Sequence, residues 1–252
     1  MPKKSRKSLS SVVIIIAIII AGLFGVHSLP ELYTKVLPKQ QQQQQTVQTE
    51  QRKDTVSASG TDLTNIQDNG SPYIEVDGNI PNFPNKETSG HIDLTELDGL
   101  GRCGTVFCCL GPETLPNEER GKIGMIKPSG WHTVKYDTVD GKYLYNRCHL
   151  AAFCLTGLNA EERNLITGTR YMNTEGMLPF ENKTCDYIKE TGNHVMYRVT
   201  PIFAGNDLVA KGVHMEAESV EDNGEGIKFN IFCYNKQPGI YIEYSTGESF
   251  QE

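Results

Sequence analysis

From Pro72 onward, hydrophobic and polar positions fall into short two-residue alternations. Segments 73–76, 195–203, 213–220, 227–234 and 239–244 read as strands, several with the period of a half-buried sheet. The period changes over 176–191, where Met177, Phe180, Cys185 and Ile188 fall on or near one helical face, and Gly192-Asn193 supplies a stop. Pro179 fits that helix only near its first turn, where its missing N–H costs nothing. A mostly antiparallel central sheet with a few flanking helices follows, an α+β domain. No internal repeat is visible.

The first 71 residues follow other rules. Lys3, Lys4, Arg6 and Lys7 precede an unbroken apolar run, Val12 to Val26, the layout of a secretory signal or an N-terminal anchor. Residues 9–29 approach the roughly 20 needed to cross a bilayer, and Val26-His27-Ser28 lacks the small-x-small pattern that signal cleavage prefers, which favours an uncleaved anchor over a cleaved signal. Segment 30–71, with six consecutive glutamines at 40–45 and almost no aromatic residues, cannot bury enough surface to offset its ordering entropy, and reads as a flexible tether. The expected organisation is an anchor over 1–29, a tether over 30–71 and a self-sufficient domain over 72–252 outside the cell. Secretion is the alternative.

Within that domain one stretch carries the chemistry. Tyr143, Tyr145 and Arg147 alternate with Leu144, Asn146 and Cys148, predicting a strand with His149 at or near its end. A partly apolar run, 150–158, a polar link, 159–163, and then Asn164 and Asn173, nine residues apart, come next, with Glu181 eight residues further on. This pattern resembles the DNA/RNA non-specific endonuclease family, whose site is a ββα-metal (His-Me) finger with the motif Asp-Arg-Gly-His followed by two asparagines at this spacing and a glutamate. The likeness is strongest to its streptococcal membrane-anchored branch, and it extends over about 97–248 through segments such as Met196-Tyr-Arg-Val-Thr200 and Ile242-Glu-Tyr-Ser-Thr-Gly247.

The resemblance implies that His149 is the general base, Asn173 the single protein ligand of a divalent metal, magnesium or alternatively manganese, and Arg147 the arginine beside the phosphate. Asn164 and Glu181 take the places of the supporting asparagine and glutamate. Two positions depart from the motif, Asn146 for Asp and Cys148 for Gly. The residue types suit phosphodiester hydrolysis. A hard cation answers the charge that builds on phosphorus oxygens, a neutral amide ligand leaves its full charge to the substrate, and an imidazole with a pKa near 6.5 is a competent base at pH 7 to 8.

Charge modifies this picture. The net charge is −7, and four of the 24 cations lie in the first ten residues, so bulk attraction to DNA or RNA is excluded. Affinity must be local, and Arg102, Arg120, Lys122, Lys127, Lys135, Arg147, Arg163 and Arg170 concentrate before and around the motif; Arg120 and Arg170 stand out as nucleic-acid contacts. Seven cysteines, an odd number, show no C-x-x-C pair, and the six histidines show no H-E-x-x-H, so structural zinc has little support. Two other classes compete with the endonuclease. One is a thiol hydrolase using Cys148, which would need His132, His194 or His214 because adjacent strand residues face opposite ways; the other is a non-catalytic surface module that binds nucleic acid.

Overall fold

The computed structural model describes residues 62–252, so the expected anchor over 1–29 and the tether as far as 61 lie outside the described residues. Six strands form the central sheet: β1 (Tyr73–Glu75), β2 (His91–Leu94), β3 (Val106–Leu110), and, after the hairpin described below, β6 (Val195–Ile202), β7 (Gly212–Ser219) and β8 (Lys228–Tyr234). Their order is β1-β8-β7-β6-β3-β2, with every neighbouring pair antiparallel.

Two-residue alternation decides which face is covered. Val195, Tyr197 and Val199 of β6, Val213, Met215 and Ala217 of β7, and Phe229, Ile231 and Cys233 of β8 all enter one core cluster. Each buried Val, Ile, Met or Phe among them contributes about 1.5–3 kcal/mol. Against this face packs a helix, α2 (Leu178–Thr191), through Cys185 and Ile188, and Gly192 ends it in the left-handed conformation (φ 71°) that a glycine adopts without strain.

The hairpin is β4 (Tyr145–His149) paired antiparallel with β5 (Leu165–Thr169), and between them lies a one-turn helix, α1 (Phe153–Thr156). The chain leaves β5 directly into α2, so hairpin and helix form one ββα unit. A C-terminal hairpin, β9 (Ile240–Ile242) with β10 (Ser249–Gln251), packs Ile240 and Ile242 against Leu144 and Tyr145 at the start of β4.

The α+β class and the predicted strands are present, with ends shifted by a residue or two. Three expectations change. The helix begins before Gly176: a π-helical turn, Met172–Met177, runs into α2, and the Leu178 N–H donates to the Asn173 carbonyl five residues back. Pro179, which lacks an N–H and crowds the carbonyl one turn earlier, supplies the physical reason for a widened turn. Strands β2 and β3 were not anticipated: β2 is only four residues long, and Val106-Phe-Cys-Cys-Leu110 of β3 is a continuous apolar run without alternation. Finally, residues 62–71, expected in the tether, pack on the sheet: Leu63 is buried with Val76, Phe232 and Tyr234, and the Tyr234 hydroxyl donates to the Gln67 carbonyl at 2.6 Å. Among the described residues no helix is long and apolar enough to cross a membrane.

Candidate active site

Register fixes the hairpin. His149 pairs with Leu165 at one end and Tyr145 with Thr169 at the other. Arg147 and His149, two apart, share a face, and Cys148 points into the core with no exposure. Its side chain takes space that a glycine on the neighbouring strand leaves open, since a Cβ added to Gly168 would stand 2.4 Å from the Cys148 sulfur. A cysteine is thereby accommodated where the family motif has glycine.

His149 is 6% exposed. Its Nε2 lies 2.9 Å from the carbonyl oxygen of Asn159, which can only accept, so in the neutral ring Nε2 carries the proton and Nδ1 keeps its lone pair. Burial lowers the imidazole pKa below 6.5; the Asn159 carbonyl works in the opposite direction, and the positive charge of Arg120 lowers it further. The ring is therefore held neutral, oriented, and basic at one nitrogen.

Asn164 is wholly buried and clamps the turn that follows His149. Its Nδ2 donates to the Ala151 carbonyl and its Oδ1 accepts from the Ala151 N–H, both at 2.9 Å, and the Leu150 N–H donates to its backbone carbonyl at 2.9 Å. Arg147 is half-buried. Its Nη2 donates to the Gly124 carbonyl at 2.9 Å, its Nε to that of Ile126, and its guanidinium carbon lies 4.0 Å from the ring centre of Trp131.

Asn173 sits in the π-helical turn, half-buried, its carboxamide making no hydrogen bond among the described residues. The position is already helical, so the residue is not a cap. Glu181, in the first turn of α2, is 7% exposed, and burial pushes its carboxyl up to about 8 against the opposing pull of Arg120. Arg120 is exposed, and its positive charge lowers the pKa of both His149 and Glu181. Arg170 is paired with Asp140 at 2.8 Å.

The structure thus joins Asn164 to the turn after His149, and Arg120 acts electrostatically on both His149 and Glu181, whereas Asn173 makes no hydrogen bond to any of them and Arg170 engages its own carboxylate. Among the described residues no group of three or more His, Cys, Asp or Glu side chains could hold a metal. The free amide oxygen of Asn173 and the Glu181 carboxyl are hard oxygen donors, which fit a cation that keeps most of its water. Neither of two surface pockets, about 450 Å³ beside Tyr241 and Phe250 and about 150 Å³ beside Leu63 and Tyr244, is lined by His149. Two contributors escaped the sequence reading: Asn159, which acts through its backbone carbonyl and so has no side-chain signature, and Trp131, whose partner Arg147 is 16 residues away.

Comparison with known proteins accords with this geometry. Residues 82–221 match the model of the DNA/RNA non-specific endonuclease family. The chain is similar in fold to NucA from Streptococcus agalactiae with magnesium ion bound, at 24% identity and a TM-score of 0.64 over 71% of this chain and 87% of that one. It is similar also to Sda1 nuclease with bound zinc ion, at 27% identity and a TM-score of 0.55 over 64% of this chain and 81% of the other. A third solved structure, an extracellular endonuclease, matches at 21% identity and a TM-score of 0.52 over 73% of this chain and 100% of its own.

Proposed function

Because the chain belongs to the DNA/RNA non-specific endonuclease family, we propose that it hydrolyses phosphodiester bonds of DNA and RNA without sequence preference, in a metal-dependent reaction with His149 as general base. The observation that carries this reading is the 2.9 Å contact of His149 Nε2 with the Asn159 carbonyl, which selects the tautomer. With Nε2–H committed to the Asn159 carbonyl, Nδ1 is the nitrogen left to take a proton from water, and burial keeps it unprotonated at neutral pH.

Each neighbour serves that base. Asn164 fixes the backbone immediately after it by holding both polar groups of Ala151. Arg147, on the same face of β4, keeps three of its five N–H donors after its two carbonyl bonds and offers them to a phosphate. Arg120, exposed and felt electrostatically at His149, adds positive charge that an approaching polyanion would meet. Asn173 would hold magnesium or manganese through its amide oxygen, with Glu181 supporting the hydration shell. When bound, the cation supplies positive charge against the phosphorus oxygens and the leaving oxygen. Sequence preference is weak on this reading because the groups named meet the phosphate backbone, not base edges.

The thiol-hydrolase alternative meets a physical obstacle: Cys148 has no exposure, and burial drives its thiol far above the usual range. The apolar run before residue 29 and the extracellular relative support a site of action outside the cell, reached through an N-terminal anchor or a cleaved signal.

The test is degradation of plasmid DNA and of RNA by purified residues 62–252 with magnesium, with manganese and with excess EDTA, alongside His149→Ala. Loss of activity in EDTA and a fall of about 10² to 10⁴ in the variant are expected. Full activity in EDTA, or an unimpaired His149→Ala, would overturn the reading.

A further inference from the structure

Arg147 is held from two sides that differ in rigidity. On one side stands Trp131, the only tryptophan of the chain. Its backbone N–H donates to the Pro128 carbonyl at 3.1 Å, and its ring packs with the Leu144, Tyr145, Ile240 and Ile242 cluster. The turn beneath it is bolted down: the Ser129 hydroxyl donates to the Leu208 carbonyl at 2.6 Å, and the Ser129 carbonyl accepts from Thr167 at 2.8 Å, Thr167 being the cross-strand partner of Arg147 itself. Trp131 is therefore a fixed plate.

On the other side lies segment 121–127, which has few anchors. Besides its two bonds to Arg147, its internal backbone hydrogen bond runs from Ile126 N–H to the Ile123 carbonyl at 3.1 Å. Met125, between the two carbonyls that Arg147 holds, is 66% exposed. Lys122 and Lys127 are exposed and make no salt bridge among the described residues, and no acidic residue occurs between Arg120 and Tyr136. In an acidic protein this segment is a local positive island, and one guanidinium ties it to the strand that ends in His149.

We propose that Trp131 is a positioning residue acting through Arg147, its ring holding the guanidinium flat so that two N–H groups fasten segment 121–127 while the remaining three meet a phosphate of the bound nucleic acid. Substrate backbone and loop are then coupled through one side chain. The ring face attracts the cation, and its flatness keeps the guanidinium fork in a single plane, which an ammonium on a flexible stem does not reproduce. This rests on the endonuclease reading for the identity of the ligand, but the brace itself is independent of turnover.

The experiment is a double-mutant cycle on residues 62–252, joined to two readouts without catalysis. Trp131→Ala should raise KM for DNA by about tenfold while kcat stays within about threefold, and Trp131→Phe should recover most of the loss because it keeps a ring face. Trp131→Ala should add little to Arg147→Ala, since the two act as one unit. In EDTA, an oligonucleotide should change the Trp131 fluorescence of the wild type and leave that of Arg147→Ala unaltered. Without any ligand, trypsin should cut after Arg120 and Lys122 faster in Trp131→Ala, Arg147→Ala and the milder Arg147→Lys than in the wild type, Lys127 being protected by Pro128. Additive effects in the cycle, a Phe variant no better than Ala, or unchanged tryptic cleavage would each overturn the brace. A wild type without nuclease activity would overturn the endonuclease reading instead, and the cleavage rates would still decide the brace.

Discussion

Replacing Asn164 by alanine removes a carboxamide that answers both backbone groups of Ala151, in a place water does not reach. Two hydrogen bonds are lost, and the Ala151 N–H and C=O are left buried without partners, each at a cost of about 1–3 kcal/mol. The sum, about 4 kcal/mol, translates to a melting temperature lower by roughly 8–16 °C for a domain of this size. Asn164→Asp should fare no better, because a carboxylate can still accept from the Ala151 N–H but faces the Ala151 carbonyl with no proton to donate. Activity should fall further than stability predicts when assayed well below the melting temperature, since His149, the base we propose, is separated from Ala151 by one residue and small displacements of such a group can cost on the order of 10²-fold. Urea unfolding followed by circular dichroism, with plasmid degradation on the same samples, gives both numbers. A variant within about 0.5 kcal/mol of the wild type and fully active would refute the reasoning that this asparagine holds the turn after the base.

Three further outcomes are expected. The acid limb of kcat/KM should lie at or below pH 6.5, because the folded-state pKa of His149 is depressed; the same depression means that the stability tied to the neutral ring is present above the unfolded value and is lost as pH falls through it. A limb centred above pH 7 would contradict the burial seen here. Cys148→Ser should retain activity within a few-fold and lose about 1–2 kcal/mol in urea unfolding, and the native enzyme should resist inactivation by iodoacetamide, since that thiol is wholly buried. Glu181→Gln, measured in EDTA, should flatten the pH dependence of stability: the wild-type carboxyl rises from 4.5 unfolded to about 8 folded, so wild-type stability declines as pH climbs through that window, by up to about 5 kcal/mol. Parallel curves for variant and wild type would mean that Glu181 is not desolvated.

The strands β6, β7 and β8 were legible because one face of each is core and the other is not, so the two-residue period survives in the composition. β3 was not, since its burial on both faces erases the period and leaves Val106-Phe-Cys-Cys-Leu110 looking like any apolar run. The start of the long helix was placed four residues late because Gly176 and Pro179 are breakers by propensity, while in the chain they mark a widened turn inside a continuing helix. At the site, side-chain types and spacing pointed to His149, Asn164, Asn173 and Glu181. What spacing could not convey is the work done by main-chain atoms, such as the Asn159 carbonyl that chooses the His149 tautomer and the Gly124 and Ile126 carbonyls that engage Arg147.

The C-terminal hairpin bears on when, during synthesis, this domain can be completed. The Tyr145 hydroxyl, on the strand that ends in His149, donates to the Gly247 carbonyl at 2.9 Å across a sequence separation of 102 residues. Gly247 fits only as glycine, at φ +87° and with Gly130 so close that a Cβ would stand 2.0 Å from its carbonyl oxygen. The loop that carries Trp131 also leans on this hairpin, through His132 and the Thr246 carbonyl at 3.1 Å. A ribosome must therefore finish about a hundred residues beyond β4 before that strand's last supports exist. Until then the strand that ends in His149 and the loop that carries Trp131 both lack their hydrogen bonds to the C-terminal hairpin, so the two are braced together only at the end of synthesis.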